Sequence, residues 1–325
     1  MMLFLRRALA RRHVAAVAAL GFVLGAPATA HAFCRTTTVA VPASYSPSRG
    51  CFTDGLVLYW GNACVGYSIN KEASARTNLD EATRVIDLAF STWNGVTCKD
   101  TGARAGIQAS NLGPVECDQV KYSPTGPNQN LIVFRDSGWP YSDPNNTLGL
   151  TTVTFNADNG EIYDADMEIN SSGQNLSTDD LVPANGYDLL SVITHEAGHF
   201  FGIAHATDTR ATMYASYKPG SSAQRTLTSD DGEGLCAIYP DSTKRVVDPK
   251  VSASGVINAA ACDPAPRHGF GSSCDSNPAP TESGSSGCSV AAPTASSDAS
   301  SPWGSIAALV GAVALVFGAR IRKRW

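Results

Sequence analysis

The amino-acid sequence predicts an α+β domain, with helices packed on one face of a sheet. Three observations point there. Short apolar stretches around Leu56–Ile69, Asn130–Phe134, Thr151–Phe155 and Ile162–Ile169 have strand character. Apolar residues recur at spacings of three and four from Leu79 to Trp93, and further helical stretches open near Asp188 and Thr228. The order is strands, one helix, strands, then two helices, with no internal repeat.

In the first stretch, Val57, Leu58, Tyr59 and Trp60 are followed by Val65, Tyr67 and Ile69. Asn78 is a suitable N-cap for the next element, a helix whose apolar face is Ala82, Val85, Ile86, Ala89, Phe90 and Trp93. Asn94-Gly95 ends it. Asp158-Asn159-Gly160 reads as a turn between the last two strands. The second helix carries Leu189, Leu190, Val192 and Ile193, and the third runs from Thr228-Ser229-Asp230-Asp231 to Tyr239-Pro240.

The ends of the chain differ from this middle. Arg6, Arg7, Arg11 and Arg12, an apolar run from Val14 to Leu24 and Ala30-His31-Ala32 describe a secretory signal peptide over residues 1–32, cut before Phe33. At the other end Trp303–Ala319 is almost wholly apolar and is followed by Arg320, Arg322, Lys323 and Arg324. That length is at the lower limit for a membrane span, about 17–25 residues. Residues 242–302 are rich in Ser, Ala, Pro, Gly and Asp and read as a flexible tether, which leaves residues 33–241 as one domain. Gly287-Cys288, the spacer, the apolar segment at 303–325 and its basic end resemble a MYXO-CTERM type sorting tag, with a permanent single-span anchor as the alternative. Export to the cell surface or the medium is expected, with membrane contact only through this segment.

Each terminal segment carries four basic and no acidic residues, so losing both takes the formal charge from −5 to −13. Such acidity offers no electrostatic case for nucleic acid. Nine cysteines, at 34, 51, 64, 98, 117, 236, 262, 274 and 288, favour disulfides in an exported chain. None are spaced Cys-x-x-Cys, so a cysteine zinc site is not expected. With Cys288 set aside, eight allow 105 pairings; the short loop between Cys98 and Cys117 suggests one.

The chemistry lies in His195-Glu196-Ala197-Gly198-His199-Phe200-Phe201-Gly202-Ile203-Ala204-His205. Two histidines four apart on a helix leave the same face and can bind one zinc ion. Glu196 is placed to take a proton from a metal-bound water. Gly202 permits a turn that returns His205 as third ligand, leaving a fourth position for water or substrate. Of six histidines in the chain, three fall in this segment.

With Met213 eight residues beyond His205, this segment resembles the metzincin peptidases, and within them the matrixin-like branch. Leu227–Tyr239 is similar to the closing helix of matrixins, and the resemblance spans roughly residues 56–241. It implies a twisted mixed sheet with helices on one face, a zinc cleft between upper and lower subdomains, a Met turn at Met213 and a substrate pocket walled by Tyr217. It also implies zinc-dependent hydrolysis of a protein or peptide substrate by a single copy of the chain. Matrixins bind calcium too; Asp158, Asp164, Asp166 and Glu168 offer hard oxygen ligands, with a solvated acidic turn as the alternative. Ala206 stands where matrixins usually have Ser, and a second, histidine-bound structural zinc is not expected. Neither Cys34 nor Cys51 has the surroundings of the family's zinc-capping cysteine. Other readings are a non-catalytic zinc-binding surface module on the same scaffold, against which Glu196 is retained, and a zinc hydrolase acting on something other than peptides.

Overall fold

A computed structural model describes residues 33–274, apart from 43 and 242, together with the backbone of 312–315 and 322–323. The expected signal peptide and most of the C-terminal segment lie outside the described residues. Asn78 caps the first helix (α1, Leu79–Asn94) by accepting a hydrogen bond from Glu81 N at 3.0 Å. The six apolar residues of its predicted face are all buried. Asp188 caps the second helix (α2, Leu189–Phe200) through Ser191 N, and a Thr228–Asp231 capping box opens the third (α3, Ser229–Ile238).

The sheet contains β1 (Tyr59–Trp60), β2 (Cys64–Asn70), β3 (Gln108–Val115), β4 (Leu131–Phe134), β5 (Gly149–Asn156) and β6 (Glu161–Ile169). Its order is β5-β6-β4-β2-β3, with β1 also on β6. β5 runs antiparallel to β6, and the other pairings among these six strands are parallel. The result is a mixed sheet with helices on one face, as in a metzincin catalytic domain. α1 and α2 share one core with it: Phe90 stacks on Tyr67 at a ring distance of 4.0 Å and meets Phe200 edge-on at 5.1 Å. Trp93 Nε1 donates to Thr194 O at 2.8 Å, tying α1 directly to the turn that carries His195.

Three differences from the sequence reading have clear causes. The stretch 56–69 is two strands, because the carbonyls of Trp60 and Asn62 turn aside to accept hydrogen bonds from Arg245. β3 has no counterpart among the expected strands; it lacks regular alternation and forms through pairing with β2. The pairing of Cys98 with Cys117 does not occur. Cys98 sits in the helix-side core and bonds Cys236 of α3, whereas Cys117 belongs to a separate cluster with Val115, Leu131 and Val133 and bonds Cys274. Cys34–Cys51 and Cys64–Cys262 complete the set.

These bonds also correct the expected tether. Up to Cys274 the chain is fastened to the domain: Lys244–Val246 and Val256–Asn258 form a small antiparallel ribbon, and the disulfides of Cys262 and Cys274 anchor residues 259–274. Arg245 is fully buried; besides the two carbonyls above, its guanidinium lies 4.9 Å from the Tyr239 ring centre. A Ser- and Pro-rich composition does not reveal such attachment, because covalent bonds and one satisfied arginine replace the apolar burial it lacks. Ala312–Leu315 lies antiparallel on the outer edge of β5, and Arg322–Lys323 parallel to Ser216–Tyr217. Among the described residues no helix is long and apolar enough to cross a membrane.

Candidate metal centre and active site

α2 is buried on nearly every side, including both of its histidines. The four-residue spacing brings His195 Nε2 and His199 Nε2 to 3.1 Å. The other ring nitrogen of each meets a backbone carbonyl: His195 Nδ1 that of Thr212 at 2.6 Å, His199 Nδ1 that of Ile203 at 2.7 Å. A carbonyl only accepts, so both Nδ1 atoms carry the proton and both Nε2 atoms present lone pairs. Gly202, at φ +85°, turns the chain out of the helix; Ile203–Ala204 then pairs with Cys34–Arg35 and delivers His205. His205 Nε2 is buried with no protein partner, and one ligand atom from each histidine lies within 4.8 Å of the others.

Two lone pairs pointed at each other, beside a third orphaned nitrogen, are repulsive unless a cation lies among them. The donor set therefore fits zinc, which takes neutral imidazole nitrogens in sites that keep an open position. Burial pushes His195 down to about 4, and burial together with the neighbouring imidazoles pushes His199 and His205 well below the ordinary histidine value. All three are held in the neutral form that a metal requires.

Against α2 packs Met213, the residue for which the resemblance implies a Met turn. Met213 is fully buried, and a Cβ on Gly198 would collide with its sulfur, which explains the glycine inside α2. The turn is held by Asp231 of α3, whose carboxylate accepts hydrogen bonds from Thr212 N at 2.9 Å and Met213 N at 3.0 Å. The same Thr212 offers its carbonyl to His195, so the first turn of α3 orients this candidate ligand through one peptide unit. Sequence reading recognises Asp231 only as part of a helix start.

Glu196 is fully buried. Its Oε2 accepts a hydrogen bond from Thr151 Oγ1 of β5 at 2.8 Å, while Oε1 has no protein partner. Burial pushes this carboxyl up to about 8 against the opposing effect of its hydrogen bonds from Thr151. Nothing in the sequence signals Thr151, because its role depends on which strand lies beside α2. Tyr217 is buried against Tyr187, at a ring distance of 5.8 Å, and its hydroxyl donates to Ser221 O.

The four acidic residues do not converge. Among the described residues, the histidine triad alone brings together three or more potential ligand side chains. Asp158 is exposed on the β5–β6 turn, and Glu168 is engaged by Arg135 at 2.6 Å and by Tyr141. Asp164 and Asp166 are buried together on β6; burial raises Asp164 to about 6 and Asp166 well above the ordinary range, and the hydrogen bond between them requires a proton.

Comparison with known proteins places this geometry. The Matrixin peptidase family (Peptidase M10) matches residues 59–240. Human matrix metalloproteinase-20 is 23% identical over 184 residues, covering 55% of this chain and 32% of the relative. Human neutrophil collagenase is 30% identical over 125 residues, 38% of this chain and 24% of the relative. Metalloendoproteinase 1-MMP of Arabidopsis thaliana is 27% identical over 195 residues, 58% of this chain and 46% of the relative. The chain thus matches less than half the length of each of these relatives. The matched segment runs from β1 through the histidine triad and Met turn to the end of α3, and on that match the chain belongs to the matrixin family.

Proposed function

We propose that this chain is an exported zinc-dependent endopeptidase that hydrolyses peptide bonds in proteins. The observation that carries the reading is the convergence of three neutral imidazoles beside a buried carboxylate with one oxygen free of protein partners. His195, His199 and His205 would hold a zinc ion, which would supply Lewis acidity to the water and to the scissile carbonyl. Glu196 accepts a proton from the attacking water and returns it to the leaving amine. The wall of the pocket for the residue after the scissile bond is assigned to Tyr217. Export is supported by four disulfides, which persist in oxidising compartments. The signal peptide at 1–32 and the C-terminal sorting tag belong to the same proposal.

The test is cleavage of casein or gelatin by the purified full chain, with and without a zinc chelator, beside Glu196→Ala. A truncation at residue 241 is unsuitable, since it would leave Cys64 and Cys117 without partners. Cleavage lost with chelator and in the variant is expected. A folded, zinc-loaded chain that cleaves neither protein would favour the non-catalytic binding module.

A further inference from the structure

The two oxygens of Glu196 are treated differently by one strand. Gly149 and Thr151 are two residues apart on β5 and face the same way, towards α2. At 149, a Cβ would lie 2.8 Å from Oε1 and 2.9 Å from Cγ of Glu196, so only glycine leaves room for the carboxylate. At 151, the hydroxyl lies 2.8 Å from Oε2 and 3.2 Å from the Glu196 carbonyl. A hydroxyl has one proton, and the shorter contact to the carboxylate is the stronger acceptor. The outcome is a carboxylate with one oxygen tethered and the other, Oε1, buried without a protein partner.

We propose that Thr151 is a positioning residue for hydrolysis, whose hydroxyl tethers Oε2 of Glu196 so that Oε1 is the oxygen presented to the attacking water. This rests on the endopeptidase reading above. A free carboxylate rotates about its last torsion, which is broad and two-fold, and spends time with neither oxygen aimed at the water. The hydrogen bond from Thr151 removes that freedom, while the missing side chain at Gly149 leaves the carboxylate the room it occupies. Such a contribution acts on the chemical step rather than on substrate binding, because Thr151 touches the base and not the substrate.

The experiment compares full-length, zinc-loaded wild type with Thr151→Val and Thr151→Ser on a quenched-fluorescent peptide that reports cleavage. Valine keeps the shape and removes the donor; serine keeps the donor. A charge-assisted hydrogen bond of this kind is expected to cost about 10- to 100-fold in kcat when lost, with KM within about twofold. Thr151→Ser should recover most of that loss. Zinc content and melting temperature, read on the same samples, should not track the activity. An active wild type matched in kcat by Thr151→Val overturns the role of Thr151 alone, as does a serine variant no better than the valine one. A zinc-loaded wild type that cleaves no peptide or protein overturns the endopeptidase reading, and this inference with it.

Discussion

Two regions of this molecule are held by different means. Around the histidines, geometry is set by directional hydrogen bonds between buried groups: Thr212 O and Ile203 O on the imidazoles, Asp231 on the Met turn, Thr151 on Glu196. The segment ending at Cys274 is attached instead by disulfides joining residues 157 and 198 positions apart and by the buried Arg245. The first region needs angular accuracy of a fraction of an ångström, which only short polar contacts provide. The second needs only attachment, and a cross-link supplies that by restricting the unfolded chain. The contrast teaches that chemistry and durability are separable here: the first should respond to loss of single polar atoms, the second to reductant.

The sharpest way to break the comparison is at Glu196. Its replacement by alanine should lower kcat by about 10²–10⁴-fold, as expected for loss of a general base, with bound zinc and melting temperature close to wild type. Full activity in that variant would remove the proposed base.

Asp231 tests whether hydrogen bonds alone support the site. Asp231→Ala leaves two buried backbone N–H groups without an acceptor and should cost about 2–5 kcal/mol of stability in denaturant titration, with weakened zinc retention. An unchanged midpoint would show that the Met turn is held by packing instead. Replacing Cys117 and Cys274 together by serine should cost up to about 4 kcal/mol yet leave kcat of the folded fraction unaltered, because neither sulfur lies in the helix-side core. A drop in kcat would mean that this attachment does shape the site.

The smallest effect concerns pH. Asp164 and Asp166 have folded pKa values raised by burial, Asp164 to about 6. An acid with a raised folded pKa binds more protons folded than unfolded, so its effect is to lower stability as pH rises from about 4 through 6. Asp166→Asn retains an acceptor for Leu131 N and removes the second charge. It should raise stability at pH 8 by about 1–2 kcal/mol and change little at pH 4, measured by thermal melts across that range. Equal shifts at both pH values would show that the pair is not the source.

Much of the site is legible in the chain because it rests on local geometry. A four-residue spacing on a helix presents two side chains on one face wherever that helix is found, and glycine at 202 permits the turn at any location. The cap Asn78, a helix start near Asp188 and the helical face from Ala82 to Trp93 are legible for the same reason. The surroundings of the four acidic residues are not legible in this way: Asp158 lies in solvent, Asp164 and Asp166 are buried together, and Glu168 is engaged by Arg135 and Tyr141.

By itself, then, the sequence determined which three histidines can meet around a metal and where the three helices and most of the strands run, and it named Glu196 as the candidate base. These properties arise from periodicities of a few residues and from the chemistry of single side chains. Only the tertiary structure decided which cysteines meet, that the chain from 243 to 274 belongs to the domain, that Asp231 of α3 holds the Met turn, and that Thr151 of β5 holds Glu196. Those contacts join groups 17 to 198 residues apart, and chain separation carries no signal of which pairs the packing of sheet on helix will bring together.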